Sequence, residues 1–379
     1  MLILAGVRLL QVFDRYVARE MLVPYAAATV FLSQILLATQ LLSESEVLFG
    51  SGVSAADAAV VSLALIPHLL GFVLPIAFLL GAVVGLGRLA EDREVIALGA
   101  AGVSPLRLYR MPIAIAAVTA ALALVLAQYV EPAAFALVRD RVARIIKRKL
   151  TNDIRPGVFY DRIPGYTLYA ERVRGGRWDN VLISDETSPS SPVLALATGG
   201  GLESAGAGGD MVLALDQGEL HSGTRTAAEY LTAGFDRAQA VIRVSEALDS
   251  GLSRSARGAS FAELPGRMRE QRAKGDVVEA LRTEAFYHRR IAQALAVLPF
   301  ALLAVPLGSS RRLGRAFALS AMILAVVVHY LLLRAGEVLA QRAVLPAWLV
   351  LQTPTVMLSL VALGLALLQA RRRVLGTVG

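Results

Sequence analysis

The chain has 379 residues, of which 56% are hydrophobic and only 18% are charged, and its mean hydropathy is +0.59. This composition excludes a soluble globular protein of that size and indicates an integral membrane protein. The formal net charge of +8 does not indicate nucleic-acid binding, because the arginines flank apolar segments as they do in membrane proteins. The absence of cysteine excludes disulfide bonds and thiolate metal sites.

Six segments without Asp, Glu, Lys or Arg are long enough to cross a bilayer as helices, which requires roughly 20 apolar residues. They are residues 21–43, 58–87, 111–130, 291–310, 316–333 and 343–370. Arg8, Arg15 and Arg19 precede the first segment. The apolar run is too long for a cleavable signal peptide, so we expect this basic flank to be retained.

Basic residues in the short loops predict the orientation, because Lys and Arg remain on the cytoplasmic side. The N-terminal flank is basic, whereas the loop of residues 43–57 contains Glu44, Glu46 and Asp57 and no basic residue. Arginines return after the second, fourth and sixth segments. The pattern predicts that both termini are cytoplasmic and that the long segment after the third span is on the outer face.

The long segment between the third and fourth spans has alternating rather than continuous apolar residues. Strands are predicted at 166–173, 181–184, 193–197, 211–215 and 240–244, separated by turn-forming residues at 189–192 and a Gly-rich stretch at 199–209. Short strands at this spacing predict an all-β sandwich or jelly roll. Helical stalks are expected on both sides, at 131–150 and from a capping box at Asp276 and Glu279.

The predicted fold is an α-helical membrane protein of six transmembrane helices with an all-β, jelly-roll-like domain inserted between the third and fourth. The predicted domains are residues 1–130, a first membrane half of three spans; 131–290, the β-domain with its stalks; and 291–379, a second membrane half of three spans.

The loop after the second span is predicted to be cytoplasmic and contains RLAEDREVIALG at residues 88–99. This segment is typical of a short amphipathic helix that Gly99 and Gly102 can stop, with Ser104 and Pro105 opening the next helix. The acidic residues near its start are Glu91, Asp92 and Glu94. Such a helix can bind in a groove of a motor protein or lie against lipid headgroups, and the spacing of its residues alone favours the second alternative. Acidic residues facing anionic lipid argue mildly against the second alternative.

No motif for catalysis or nucleotide binding is present. The sequence lacks GxxxxGK[ST], HExxH and GxSxG, and its four histidines are scattered, so no metal site is expected. The six spans contain no Asp, Glu, Lys or Arg, although coupling to an ion gradient usually places such residues inside the membrane. If the chain transports a substrate, we expect the energy to come from another protein.

Several separated segments resemble the LptF/LptG (YjgP/YjgQ) family of lipopolysaccharide export permeases, over nearly the whole chain. They are DRYVARE at Asp14–Glu20, PIAFLLGAVVGLG at Pro75–Gly87 followed by RLAEDREVIALGAAGVSP, LLAVPLGSSRRLGR at Leu302–Arg315, and AGEVLAQRAVLPAW at Ala335–Trp348. Six spans with an outer β-domain after the third is also the plan of that family.

The resemblance implies a non-enzymatic permease subunit of an ABC transporter in the bacterial inner membrane, with a periplasmic jelly-roll domain through which lipopolysaccharide passes. Its implied partners are an LptB-like ATPase dimer, a second permease of the same family and an LptC/LptA-like periplasmic bridge. ATP and Mg²⁺ would be bound by the ATPase, and no cofactor by this chain. The segments LDQGELHSGT at Leu215–Thr224 and FDRAQAVI at Phe235–Ile242 are more similar to LptF than to LptG.

The resemblance also implies roles for particular residues. Glu94 matches the acidic position of the family's coupling helix, where it would pair with a basic side chain of the ATPase, with Glu91 and Asp92 beside it. Lipid contacts are expected on the apolar faces of the first and fifth spans and on the inward face of the β-domain. The candidate lipid-contact residues are Leu41, Phe49, Tyr330 and Trp348.

The chain departs from the family at the outer end of the first span, where relatives often hold a basic residue suited to lipid phosphates. Residues 40–44 contain no cation here. Three alternatives stay open: the partner permease supplies the phosphate contacts, stalk arginines supply them, or the lipid differs. The stalk arginines are Arg139, Arg141 and Arg144.

A second function also agrees with the sequence. The chain could be a membrane-anchored scaffold or assembly factor whose β-domain binds a partner protein and moves no lipid. A lipid-modifying enzyme would need an acid, a base or a metal cluster at the outer face of the membrane, and the sequence offers none.

Overall fold

The structure is a computed structural model that describes residues 2–43, 54–152, 156–163, 165–187, 192–204, 211–223, 230–242, 258–309 and 314–375. The chain divides into two compact units. We call them the membrane unit, which is Met1–Gln40, Leu65–Pro132 and Ala259–Gly379, and the sheet unit, which is Leu41–Ala64 and Ala133–Gly258.

The described helices follow the predicted spans closely. They are α1 (Leu2–Ser43), α2 (Ala55–Glu91), α3 (Glu94–Ala100), α4 (Arg110–Val125), α5 (Glu131–Asn152), α6 (Leu264–Ala273), α7 (Val277–Leu295), α8 (Val297–Gly308), α9 (Gly314–Gln341) and α10 (Ala347–Leu375). Within the described residues, six helical stretches are long and apolar enough to cross a membrane. The six predicted spans are therefore confirmed.

Two predictions about the ends of the spans are confirmed: the third span continues as a helix, and Asp276 begins the helix that leads into the fourth span. A π-helical turn, Leu126–Val130, joins α4 to α5, so the third span continues into the predicted stalk without a break. The Asp276 side chain accepts a hydrogen bond from the Glu279 amide at 3.3 Å, which confirms the predicted N-cap of α7. The π-helical turn and the polar helix α6 were not predicted.

The core of the membrane unit lies between α2 and α8. Phe78 and Leu79 of α2 and Phe300 of α8 have at most 1% of their surface exposed. Glycines bring α1 close to α2: a Cβ at Gly85 would lie 2.5 Å from the Glu20 carbonyl oxygen. Small residues allow this approach, which favours helix association inside a membrane through close packing.

The sheet unit contains six described strands that pair in chain order. They are β1 (Tyr160–Ile163), β2 (Tyr166–Arg174), β3 (Arg177–Asp185), β4 (Val193–Ser204), β5 (Met211–Gly223) and β6 (Tyr230–Ile242), and each described pair is antiparallel. Alternate side chains such as Leu168, Trp178, Ile183 and Leu213 are buried together on one face. The predicted class, a helical membrane protein with an inserted β-domain, is confirmed, and these strands form a meander.

Three details of the strand prediction were wrong. Part of the stretch predicted as a Gly-rich turn, Gly199–Ser204, is the second half of β4. Glycine fits there because a Cβ at Gly200 would lie 2.7 Å from the Ala214 carbonyl oxygen of the neighbouring strand. Most of β6 was missed because its first nine residues are exposed or half-buried and show no alternation of apolar and polar residues. The short strand β1 was missed as well.

Candidate functional site

The loop between the second and third spans, which we call the 88–110 loop, does not form the single helix that was predicted. Residues 88–91 are the last turn of α2, and α3 comprises only Glu94–Ala100. Asp92 and Arg93 form the turn between the helices, and Arg93 has φ 62°, in the left-handed region. A left-handed residue breaks the helical path, so the predicted single helix of residues 88–99 is two helices separated by a turn.

The predicted start of the next helix is confirmed, and so is the end of the short helix before Gly102. The prediction that Gly99 also stops the short helix was wrong, because Gly99 lies within it and the helix ends at Ala100. Gly102 has φ 80°, a conformation that glycine adopts without steric cost. The Ser104 side chain then accepts a hydrogen bond from the Leu106 amide at 3.3 Å and caps a 3-10 turn, Pro105–Tyr109, that leads into α4.

The 88–110 loop presents acidic and apolar side chains at its surface. Glu91 and Asp92 are exposed, and Glu94 is half-exposed in the first turn of α3, where a negative charge is favoured by the helix dipole. Ile96 and Leu106 are 60% and 72% exposed, and α3 has no buried residue. The mixture of exposed carboxylates and large apolar side chains is the chemistry of a binding surface.

The predicted inner end of α1 bonds to this loop. The Tyr16 hydroxyl donates a hydrogen bond to Glu94 Oε1 at 3.0 Å. Asp14 Oδ2 accepts from Arg107 at 2.9 Å and from Arg110 at 3.0 Å. These contacts of the DRYVARE segment were not predicted from the sequence, although a carboxylate beside a membrane span is a signal for a charged partner.

The predicted outer end of the membrane unit holds a buried ionic cluster around Glu131. Its carboxylate lies 2.8 Å from His68 Nδ1 and 2.9 Å from an Arg290 guanidinium nitrogen. The Arg290 side chain is only 4% exposed, lies 4.6 Å above the Phe286 ring and donates to the Ala259 carbonyl oxygen at 2.7 Å. Desolvation of the guanidinium is thus offset by a carboxylate, a carbonyl group and an aromatic face.

A second cluster near the same end surrounds Glu337 of α9. Its carboxylate bonds to Arg289 at 2.9 Å and to Arg334 at 2.7 Å. Arg334 and Glu337 are three residues apart on one helix, and this pairing agrees with the structural role expected for residues with that spacing.

The four candidate lipid-contact residues have different surroundings. Trp348 is 58% exposed at the start of α10, and Leu41 is half-buried near the end of α1. Tyr330 is half-buried, with its ring 4.5 Å from that of Phe72 and its hydroxyl 3.4 Å from the Phe72 carbonyl oxygen. Phe49 lies outside the described residues. The role of these residues in lipid contact stays a prediction.

One of the three stalk arginines has an ion-pair partner within the sheet unit. Arg141 lies 2.9 Å from Asp57, which is 4% exposed and also accepts a hydrogen bond from the Ser54 hydroxyl at 2.7 Å. The side chains of Arg139 and Arg144 are outside the described part of the chain. This ion pair gives Arg141 a structural role whether or not it also contacts lipid phosphate.

The described residues were also compared with the arrangement of side chains that a metal ion requires. Among them, no group of three or more His, Cys, Asp or Glu side chains is arranged to hold a metal ion.

A known protein family matches most of the chain. The family model for the lipopolysaccharide export system permease LptF/LptG matches residues 15–368. The chain belongs to the LptF/LptG family. The match includes both membrane halves, the six strands and the 88–110 loop, so the segments quoted for the resemblance all lie within or at the edge of it. No curated protein matches the chain at a significant level.

Membership of the LptF/LptG family establishes the general role of the chain as a lipopolysaccharide export permease. The family is the permease component of an ABC transporter, and its six apolar helices make this member a multi-pass membrane protein. The match does not separate LptF from LptG, so the greater similarity to LptF stays a prediction.

Proposed function

We propose that this chain is the permease subunit that extracts lipopolysaccharide from the bacterial inner membrane and passes it through its β-domain towards the outer membrane. The observation that supports this most directly is the family match over residues 15–368, which includes the β-domain and the 88–110 loop. In this proposal both termini are cytoplasmic and the sheet unit is periplasmic.

Energy for transport comes from a separate LptB-like ATPase dimer, which binds ATP and Mg²⁺, while this chain binds no cofactor and catalyses no reaction. The short helix α3 binds in a groove of the ATPase, and Glu94 pairs with a basic side chain there. Glu91 and Asp92 add negative charge beside it, and the exposed Ile96 supplies apolar contact. Charge complementarity of this kind directs association and fixes register.

A second permease of the family completes the transporter. Each chain carries one α3 helix, whereas an ATPase dimer offers two equivalent grooves, and closed symmetric or nearly symmetric assemblies use both. In this proposal the chain is the LptF-like member, and its partner is LptG-like. An LptC/LptA-like bridge receives the lipid from the β-domain.

The lipid itself contacts the exposed apolar faces of the first and fifth spans. Phe31 of α1 and Leu331 of α9 are 62% and 64% exposed, as are neighbouring large side chains on these helices. Leu41, Phe49, Tyr330 and Trp348 are the residues proposed to contact acyl chains. The partner permease supplies the contacts to the lipid phosphates. The alternative is that the stalk arginines Arg139, Arg141 and Arg144 supply them.

A pull-down from native membranes in mild detergent tests the proposal. Wild-type chain is compared with Glu94→Arg and with Glu270→Arg, which reverses an exposed carboxylate on α6, away from the 88–110 loop. We expect wild type and Glu270→Arg to recover an ABC ATPase and a second six-span permease. Glu94→Arg should lose the ATPase, because it places two cations opposite each other.

The alternative, a membrane-anchored scaffold, predicts a different outcome. A scaffold would recover neither an ATPase nor a second permease from wild-type membranes. In a reconstituted transporter, lipopolysaccharide should increase the rate of ATP hydrolysis, whereas a scaffold would leave that rate unchanged. Recovery of the ATPase by Glu94→Arg at the wild-type level would contradict the role of Glu94 and leave the permease assignment intact.

A further inference from the structure

Among the side chains that the structure describes, four polar contacts connect the predicted inner end of α1 to the 88–110 loop, on both sides of α3. The contacts are Glu20 with Arg88, Tyr16 with Glu94, Asp14 with Arg107 and Asp14 with Arg110. These bonds lie before, within and after α3. If α3 moves, the end of α1 therefore moves with it, unless at least one of the bonds breaks.

Asp14 makes the strongest of these connections. It is 7% exposed, and both guanidinium groups bond to its Oδ2 atom at 2.9 and 3.0 Å. The side chains of Arg107 and Arg110 are 23% and 60% exposed. Partly buried, charge-assisted hydrogen bonds are stronger than the exposed contact between Glu20 and Arg88, whose atoms are 3.6 Å apart.

Further along α1, most side chains lie at the surface of the membrane unit. Only 11% of the residues in its most apolar stretch are buried. At the inner end, in contrast, Val17 and Met21 are 1% exposed, and α2 approaches closely at Gly85. One side of the helix continues to pack on α2 as far as Ala28, which is 6% exposed beside Val73 and Ala77, but the ionic contacts described above lie at the inner end. A helix transmits a displacement of one end along its length.

We propose that Asp14 is a positioning residue that makes the first span move with the 88–110 loop. Displacement of α3 by an ATPase then shifts the lipid-facing side of α1, through the Arg107 and Arg110 contacts to Asp14. The inference rests on the proposed function, since only an ATPase bound at α3 supplies a displacement. Asp14 itself contacts neither the ATPase nor the lipid.

The test uses the full chain co-expressed with its ATPase and second permease, and reconstituted in proteoliposomes that contain lipopolysaccharide. Asp14→Asn removes the charge, Asp14→Glu keeps it, and Arg15→Gln removes a charge from the exposed neighbouring position. Three quantities are measured: the ATPase subunit that co-purifies, ATP hydrolysis with and without lipopolysaccharide, and lipid released per ATP hydrolysed.

We expect Asp14→Asn to retain the ATPase subunit and its lipid-free hydrolysis, and to release about five-fold less lipid per ATP, the lower end of the usual range for coupling between sites. Asp14→Glu should recover most of this loss, and Arg15→Gln should match wild type. Arg107→Gln should have a larger effect than Arg110→Gln, because the Arg107 side chain is less exposed.

Unchanged lipid release per ATP in Asp14→Asn would overturn the inference. A loss of ATPase recovery and thermal stability in parallel with lipid release would also overturn it, because Asp14 would then only maintain the fold. Failure of the proposed function gives a different result: the wild-type chain itself would then recover no ATPase and show no hydrolysis, and both proposals would fall together.

Discussion

The second and fourth spans form the interior of the membrane unit, whereas the first and fifth lie at its surface. In the most apolar stretch of the second and fourth spans 61% and 72% of the residues are buried, against 11% and 22% in the first and fifth. Yet the fifth span has a higher mean hydropathy than the fourth. Lipid tails are as apolar as a protein interior, so hydropathy predicts membrane insertion and not what a helix faces.

This difference assigns distinct tasks to the two pairs of helices. The buried second and fourth spans maintain the fold through close packing and ionic contacts. The exposed first and fifth spans offer apolar surface to lipid or to the proposed partner permease. Substitutions should therefore affect stability in the interior pair and transport in the surface pair, and the following variants test that division.

The largest loss of stability is expected for Arg290→Met. Removal of the guanidinium breaks its ion pair with Glu131, which stays buried beside His68, and breaking a buried ion pair costs about 3–5 kcal/mol of the free energy of unfolding. Arg282→Met is the control on the same helix, because Arg282 pairs with Glu279 at an exposed position. Unfolding in mixed detergent micelles, followed by circular dichroism, measures both. Equal losses would refute the prediction.

The next prediction compares the loss of stability on replacing a buried phenylalanine with the loss on replacing an exposed one. Phe300 of α8 is fully buried, and Phe300→Ala should lower the free energy of unfolding by about 3 kcal/mol through the cavity that it leaves. Phe317 of α9 is 53% exposed, so Phe317→Ala should change stability much less. The same detergent titration compares the two variants, and a comparable loss in Phe317→Ala would place α9 in the interior.

A third pair of variants concerns the approach of α1 to α2. Gly85→Leu should lower the free energy of unfolding by about 2 kcal/mol, because overpacking at a backbone contact forces the helices apart. Gly71, on the same helix, has open space where a Cβ would be, so Gly71→Leu is the matched control. If both variants unfold at the wild-type detergent concentration, α1 is not held by this contact.

The smallest change in stability is expected at Trp348. This residue is 58% exposed, so replacing it with the photoreactive p-benzoylphenylalanine should alter the free energy of unfolding by no more than about 0.5 kcal/mol. Irradiation of the reconstituted transporter should nevertheless give a lipopolysaccharide adduct, detected by mass shift. The same replacement at Leu351, fully buried on α10, should give none. Absence of the adduct at Trp348 would remove it from the lipid-contact residues.

The fold was predictable wherever local pattern decides structure. Charge-free apolar runs predicted the six spans, Asp276 and Glu279 predicted the start of α7, and Gly102 with Ser104 predicted the end of α3 and the start of the next helical turn. Alternation gave β2 to β5, but it failed for β6, which exposes most of its side chains. The break at Arg93 was missed because a left-handed conformation at arginine has no local sequence signal.

The candidate site was only partly predictable. Glu94 was found because a carboxylate in a short amphipathic segment is visible in the sequence and matches a family motif. Its contact with Tyr16 and the contacts of Asp14 with Arg107 and Arg110 connect residues that are 78, 93 and 96 positions apart. Pairing over such distances depends on how the helices pack, which no local pattern records.

The sequence by itself determined that the chain crosses a membrane six times, carries a β-domain and belongs to a family of lipid export permeases. Hydropathy, alternation and capping are patterns among residues a few positions apart, so they can be recognised in the sequence without knowledge of the tertiary structure. The tertiary structure alone decided which spans are buried, which glycines permit helix contact and which arginines Asp14 and Glu131 bind. These outcomes depend on packing between distant segments, and in a membrane the hydrophobic effect does not distinguish protein from lipid as a neighbour.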